Sequence, residues 1–173
     1  STSPLLSDWD DYPHFFRVVP SDGLEGAALA TAINDLSLSP AILYDSTQYS
    51  QEQNYQRFVS DSDQAPCVTL ELMGMEGNFS EFAQDVVEQD CTGVVFFASS
   101  QDTGEAVNQL SSAGFNMSYD SLFSSSEGLG MCDYTGNCDS VSVLSPPNYS
   151  SVLSEQFWSD CNNDTDCQSG IYQ

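Results

Sequence analysis

Apolar positions recur along this chain in blocks that switch between two spacings. From Gly23 to Leu36, residues Leu24, Ala27, Ala28, Ala32, Ile33 and Leu36 fall at helical intervals. Ser21 or Asp22 is placed to cap that helix, and Pro40 closes the segment. "AILYD", Ala41 to Asp45, is a short apolar run after a proline and reads as a buried strand. Gln48 to Val59 is a polar helix anchored by Tyr55 and Phe58. "CVTLELMG" from Cys67 alternates and is β-branched at its start, which predicts a strand. Ser80 to Gln89 predicts a helix carrying Phe82, Val86 and Val87, with Ser80 as its cap. "TGVVFFAS", Thr92 to Ser99, is the clearest buried strand. A helix over Asp102 to Ala113 follows, with Ala106, Val107 and Leu110 inward and Gly114 as its stop. "YDSLFSS" and "SVSVLSP" predict two more strands, and Ser151 to Asp160 a last helix.

Strand and helix thus alternate from end to end. That order predicts one α/β domain, a three-layer αβα sandwich around a mostly parallel, doubly wound sheet of about five strands. At 173 residues a single domain is of ordinary size. The longest irregular piece runs from Gly128 to Asp139, where Cys132 and Cys138 can tie it down.

Charge narrows the partners. Asp and Glu number 26 and Lys plus Arg only 2, both of them Arg, for a net charge of -24. Such a surface repels nucleic acid and anionic membranes and favours cations or basic partners. No apolar run approaches the roughly 20 residues of a membrane span. The six cysteines and four sequons, at Asn78, Asn116, Asn148 and Asn163, point to an oxidising compartment and to N-glycans, hence to an extracellular or cell-surface protein whose leader has been removed. A halophile's surface would also explain the missing lysines, but not the cysteines. Cys132 with Cys138 and Cys161 with Cys167 are near in sequence and flanked by turn formers. Cys67 and Cys91 pair by elimination, since both precede strands at one edge of the sheet, although six cysteines allow fifteen connectivities.

Catalytic chemistry finds little support. His14 is the single histidine, far from any Gly-flanked serine, and reads as structural. There is no phosphate-binding glycine loop and no nucleophile elbow, and no cofactor is implied. The paired cysteines stand too far apart for a zinc motif. The acid clusters at Asp8, Asp10 and Asp11, at Asp61 and Asp63, and at Asn162, Asp164 and Asp166 lack the calcium-loop pattern and read as solvated surface, so no metal is expected. In an open parallel sheet the ligand edge is where the strands end. Asp45 to Tyr49, Ser99 to Asp102 and Ser124 to Glu127 fall there, either as ligand contacts or as ordinary turn and cap residues.

The opening "STSPLLSDWDDYPHFFRVVPSD" resembles the entry into the second lobe of the receptor ligand-binding, or Venus-flytrap, family. That type I periplasmic-binding-protein-like family includes class C receptors, natriuretic-peptide receptors and bacterial amino-acid-binding proteins. "LFSSSEG" and "SEQFWSDC" look like later family landmarks, but the likeness is strong only over the first 22 residues.

The resemblance implies a single lobe over residues 1–173, entered by a crossover segment at 1–22, with the first lobe absent. Arg17 would be a framework residue held by carboxylates and carbonyls, since an unpaired buried guanidinium is costly. Ser1 and Thr2 match positions that hold a ligand's amino and carboxylate groups, Asp22 a position near the cleft, Tyr49 the cleft tyrosine and Glu127 an acid that receives the ligand amine. Glu127 stands where the receptors usually have Asp, and one extra Ser precedes it. The cations that grip distal carboxylates have no counterpart, which disfavours an acidic amino acid. The resemblance therefore implies a non-catalytic, receptor-like glycoprotein lobe for a small amine-containing ligand. The alternative is a secreted building block that meets other copies of itself in a fibre or matrix.

Overall fold

A computed structural model describes residues 10–11, 13–14, 23–74, 77–118 and 120–143. In order these hold α1 (Gly23–Asp35), β1 (Pro40–Asp45), α2 (Tyr49–Asp61), β2 (Val68–Leu72), α3 (Phe79–Glu88), β3 (Gly93–Phe97), α4 (Ser100–Ala113), β4 (Leu122–Ser124) and β5 (Ser142–Val143). Short 3₁₀ turns at Ser126–Gly128, Met131–Asp133 and Cys138–Ser140 fill the stretch between β4 and β5.

All five strands are parallel, in the order β2-β1-β3-β4-β5. Alternation along the central strands splits their side chains between two faces. Ala41, Leu43, Val94 and Phe96 pack beneath α3 and α4 with Phe82, Val86, Val107 and Leu110. Ile42, Tyr44, Val95 and Phe97 pack beneath α1 and α2 with Leu29, Ile33 and Phe58. A strand buried on both faces carries apolar residues at every position, which is why Gly93–Phe97 and Pro40–Tyr44 read as continuous runs. The three-layer α/β sandwich is the observed architecture.

Several local expectations shift. The buried stripe of α1 is Gly26, Leu29, Ala30 and Ile33, while Leu24 and Leu36 are exposed. Leu29 and Ile33, four residues apart, mark the inward side, and Gly26 on the same stripe lets α2 cross with its main chain against the glycine. Asn78, rather than Ser80, caps α3, its Oδ1 accepting from Glu81 N at 3.2 Å. α4 starts at Ser100, two residues earlier than expected, with Ser99 as its cap. His14 lies exposed in a turn, so it is no core histidine. Of the four described cysteines, Cys67 pairs with Cys91 and Cys132 with Cys138, as expected. The Cys161–Cys167 pairing, the last helix and Arg17 lie outside the described residues.

The Cys67–Cys91 bridge sits at the amino-terminal edge of the sheet. Cys67 N donates to Pro40 O and Thr92 N to Ser39 O, so the chain entering β2 and the chain entering β3 flank the start of β1. The bridge joins those two entries, with Cα atoms 6.1 Å apart.

Candidate functional site

The order 2-1-3-4-5 reverses direction between β1 and β3, and the crevice outside their carboxyl ends is where such sheets take ligands. The starts of α2, α3 and α4 lie at this edge because each follows a strand directly. α1 runs back toward the start of β1, so its first turn lies there too.

After β1, Asp45 Oδ1 accepts from Thr47 N at 2.9 Å and from Thr47 Oγ1 at 2.6 Å, an Asx turn. Ser46 donates through both N and Oγ to Leu72 O, tying this turn to the end of β2. After β3, Ser99 Oγ accepts from Asp102 N at 3.2 Å and donates to Asp102 Oδ2 at 2.6 Å. These groups form turns and caps, the plainer of the two readings open for them.

The segment after β4 behaves differently. Ser125 Oγ donates to Gln51 Oε1 at 3.3 Å, and Ser126 N donates to Glu25 Oε2 at 3.3 Å. The same Glu25 oxygen accepts from Asn54 Nδ2 at 3.4 Å, and Asn54 Oδ1 accepts from Gly26 N at 3.2 Å. Gln51, Asn54 and Ser125 are nearly inaccessible, at 3%, 1% and 0% exposed. Buried polar groups are costly unless bonded, and here each meets a partner across a long sequence separation. The network laces α1, α2 and the chain leaving β4 into one floor beneath the carboxyl edge. Its sequence signal was present but unread: Gln51, Asn54 and Phe58 fall at helical spacing on the inward face of α2. Polar residues at two of three core positions mark a buried network.

Of the sequence-derived ligand residues, Tyr49 is the first residue of α2 and is 42% exposed. Glu127 lies exposed in the 3₁₀ turn after β4. Both therefore stand at the carboxyl edge, one after β1 and the other after β4, the two strands that β3 separates. Ser1, Thr2 and Asp22 lie outside the described residues. Large apolar side chains are also exposed at this edge: Leu24 at 57%, Met73 at 71% and Leu129 at 55%.

Among the described residues one titrating group departs clearly from its usual range. Tyr44 stacks on Tyr55 with ring centres 3.9 Å apart, and its hydroxyl is pushed up to about 12. Burial is the main cause, followed by the Glu71 carboxylate on the neighbouring strand, which accepts a hydrogen bond from the neutral phenol and repels a phenolate. Among the described residues no group of three or more His, Cys, Asp and Glu could hold a metal ion. No helix of the described residues is long and apolar enough to cross a membrane. A shallow depression of about 490 Å³ lies at the opposite, amino-terminal edge, lined by Leu38, Val87, Thr92, Phe115, Asn116 and Ser121 among others.

No family model matches the chain, and no curated protein matches it. Its fold does match solved structures. A protein from Rhodospirillum rubrum described as a branched-chain amino acid ABC transporter superposes with a TM-score of 0.64 at 16% identity. The match covers 74% of this chain and 38% of that one, so the chain spans well under half the length of that structure. At this identity the likeness establishes the fold alone and does not reach the class C receptors in particular.

Proposed function

We propose that this chain is one lobe of an extracellular, non-catalytic binding protein, and that it takes a small amine-containing ligand at the carboxyl edge of its sheet. The observation that carries the reading is the reversal between β1 and β3, with Tyr49 and Glu127 both presented at that edge above a bonded floor. In this reading Glu127 accepts from the ligand amine and Tyr49 stacks against it. A single lobe offers an open shelf. An exposed ion pair contributes about 0–1 kcal/mol there, and association costs an estimated 4 kcal/mol or more in lost freedom. Affinity of the lone chain is then on the order of millimolar, about 4 kcal/mol. Titration of simple amines and amino acids, followed by NMR shifts, tests the reading. Shifts should cluster around Tyr49 and Glu127 at millimolar ligand and disappear in Glu127→Gln. Shifts centred on the amino-terminal depression would overturn it.

A second reading has one observation in its favour. Leu24, Met73 and Leu129 are exposed at the same edge, as in a surface that meets protein. The chain would then be a secreted building block assembling through that edge. Sedimentation of wild type against Met73→Glu separates the two, since only the assembly reading makes the mass depend on Met73.

A further inference from the structure

Among the described residues β2 is the outermost strand on its side of the sheet and pairs with β1 alone. No described residue pairs with the backbone groups of its outer edge, which form a template for another strand. Its sequence, VTLEL, is β-branched and apolar, with Glu71 the one charge to discourage pairing. A narrow groove of about 90 Å³ runs between this strand and α3, lined by Val68, Thr69 and Leu70 on one side and Asn78, Glu81, Phe82 and Asp85 on the other. Asn78, the first residue of the sequon Asn78-Phe79-Ser80, therefore stands beside the open edge.

We propose that Asn78 carries an N-linked oligosaccharide and that this glycan shields the outer edge of β2 from pairing with another chain. Asn78 and Ser80 are both exposed, as an acceptor sequon requires. The cap survives modification. Asn78 Oδ1 accepts from Glu81 N at 3.2 Å, and Nδ2 donates to Glu81 Oε2 at 2.6 Å. Glycosylation takes one of the two Nδ2 hydrogens and leaves the other, together with the whole of Oδ1, for those bonds. In the transfer, Nδ2 bonds to the anomeric carbon of a lipid-pyrophosphate-linked oligosaccharide. The anomeric carbon's bond to the pyrophosphate breaks, and the lost amide proton passes to a base.

The second described sequon, Asn116-Met117-Ser118, supplies the control. Asn116 is exposed in the loop between α4 and β4, at the amino-terminal edge and away from β2. A glycan there covers the depression and no strand edge.

The inference rests on the extracellular reading, and its test is independent of any ligand. The chain is translated into microsomes, with translocation read by protease protection, and then secreted from eukaryotic cells for sedimentation. Wild type should carry a glycan at Asn78 that an amidase removes, leaving Asp. Ser80→Ala removes the acceptor hydroxyl without touching the cap, and Asn78→Asp keeps a capping oxygen. Both should lose that glycan, keep the wild-type circular dichroism spectrum, and form larger species at concentrations where Ser118→Ala keeps the wild-type oligomeric state. Translocated wild type with an unmodified Asn78 overturns the proposal. So does an Asn78→Asp or Ser80→Ala protein that sediments as Ser118→Ala does.

Discussion

Replacing Gly26 by alanine sets two effects against each other, and the structure decides which is larger. In the middle of a helix alanine is favoured over glycine by about 1 kcal/mol. At Gly26, however, α1 and α2 meet main chain to main chain. An added Cβ falls onto the Asn54 carbonyl oxygen, 3.0 Å from its carbon and 3.1 Å from Phe58 N. These atoms belong to the backbone of α2 and cannot rotate away, so the helices must separate. Overpacking typically costs about 1–3 kcal/mol, and a rigid obstacle belongs at the upper end. Separation also stretches the Gly26 N to Asn54 Oδ1 bond. The net expectation is a loss of about 2 kcal/mol, equivalent to a melting-temperature drop of about 4–8 °C for a chain of this size. Urea unfolding followed by circular dichroism measures it, with Ala28→Gly on the exposed side of the same helix as reference. That change should also destabilise, by about 1 kcal/mol, for the opposite reason. A Gly26→Ala protein as stable as wild type, or more so, would refute the close-crossing argument.

Three further expectations follow from particular contacts. Opening the Cys67–Cys91 bridge with serines releases a loop of 24 residues, worth about 3.5 kcal/mol by chain entropy, against about 2.2 kcal/mol for the six-residue Cys132–Cys138 loop; urea midpoints without reductant should rank in that order. Tyr44 holds its proton up to about 12 in the fold against 10.0 unfolded, so the folded state binds more protons between those values and stability should fall as pH rises through that window. Tyr44→Phe should remove that part of the slope. Arg57 pairs with Asp61 at 2.8 Å on an exposed face of α2, so Arg57→Gln should cost no more than about 0.5 kcal/mol and less in high salt.

The sheet and its layers were legible because each buried strand writes its nature twice, in β-branched or aromatic content and in the helices on either side. Gly93–Phe97 admits no other reading. The site was less legible. Tyr49 and Glu127 could be placed at the carboxyl edge because strand ends can be counted. The floor beneath them could not be assembled, since Glu25 and Ser126 stand 101 residues apart and only the fold brings them together. Helix α1 shows the other limit. Leu29 and Ile33 mark its inward side, but the close crossing at Gly26 is set by the backbone of α2, and spacing holds no record of that.

The bond between Cys67 and Cys91 closes residues 67–91 into a covalent ring that contains β2, α3 and the connection between them at the carboxyl edge. A protease that cuts once inside this ring opens it without dividing the molecule. The two pieces stay attached through sulfur, and the nick shows on a gel only after reduction. Enzymes that cleave after basic residues find nothing in the ring to cut, because Arg17 and Arg57 both precede it. The molecule can therefore lose the continuity of its chain at the very edge proposed to meet ligand and still travel as one particle.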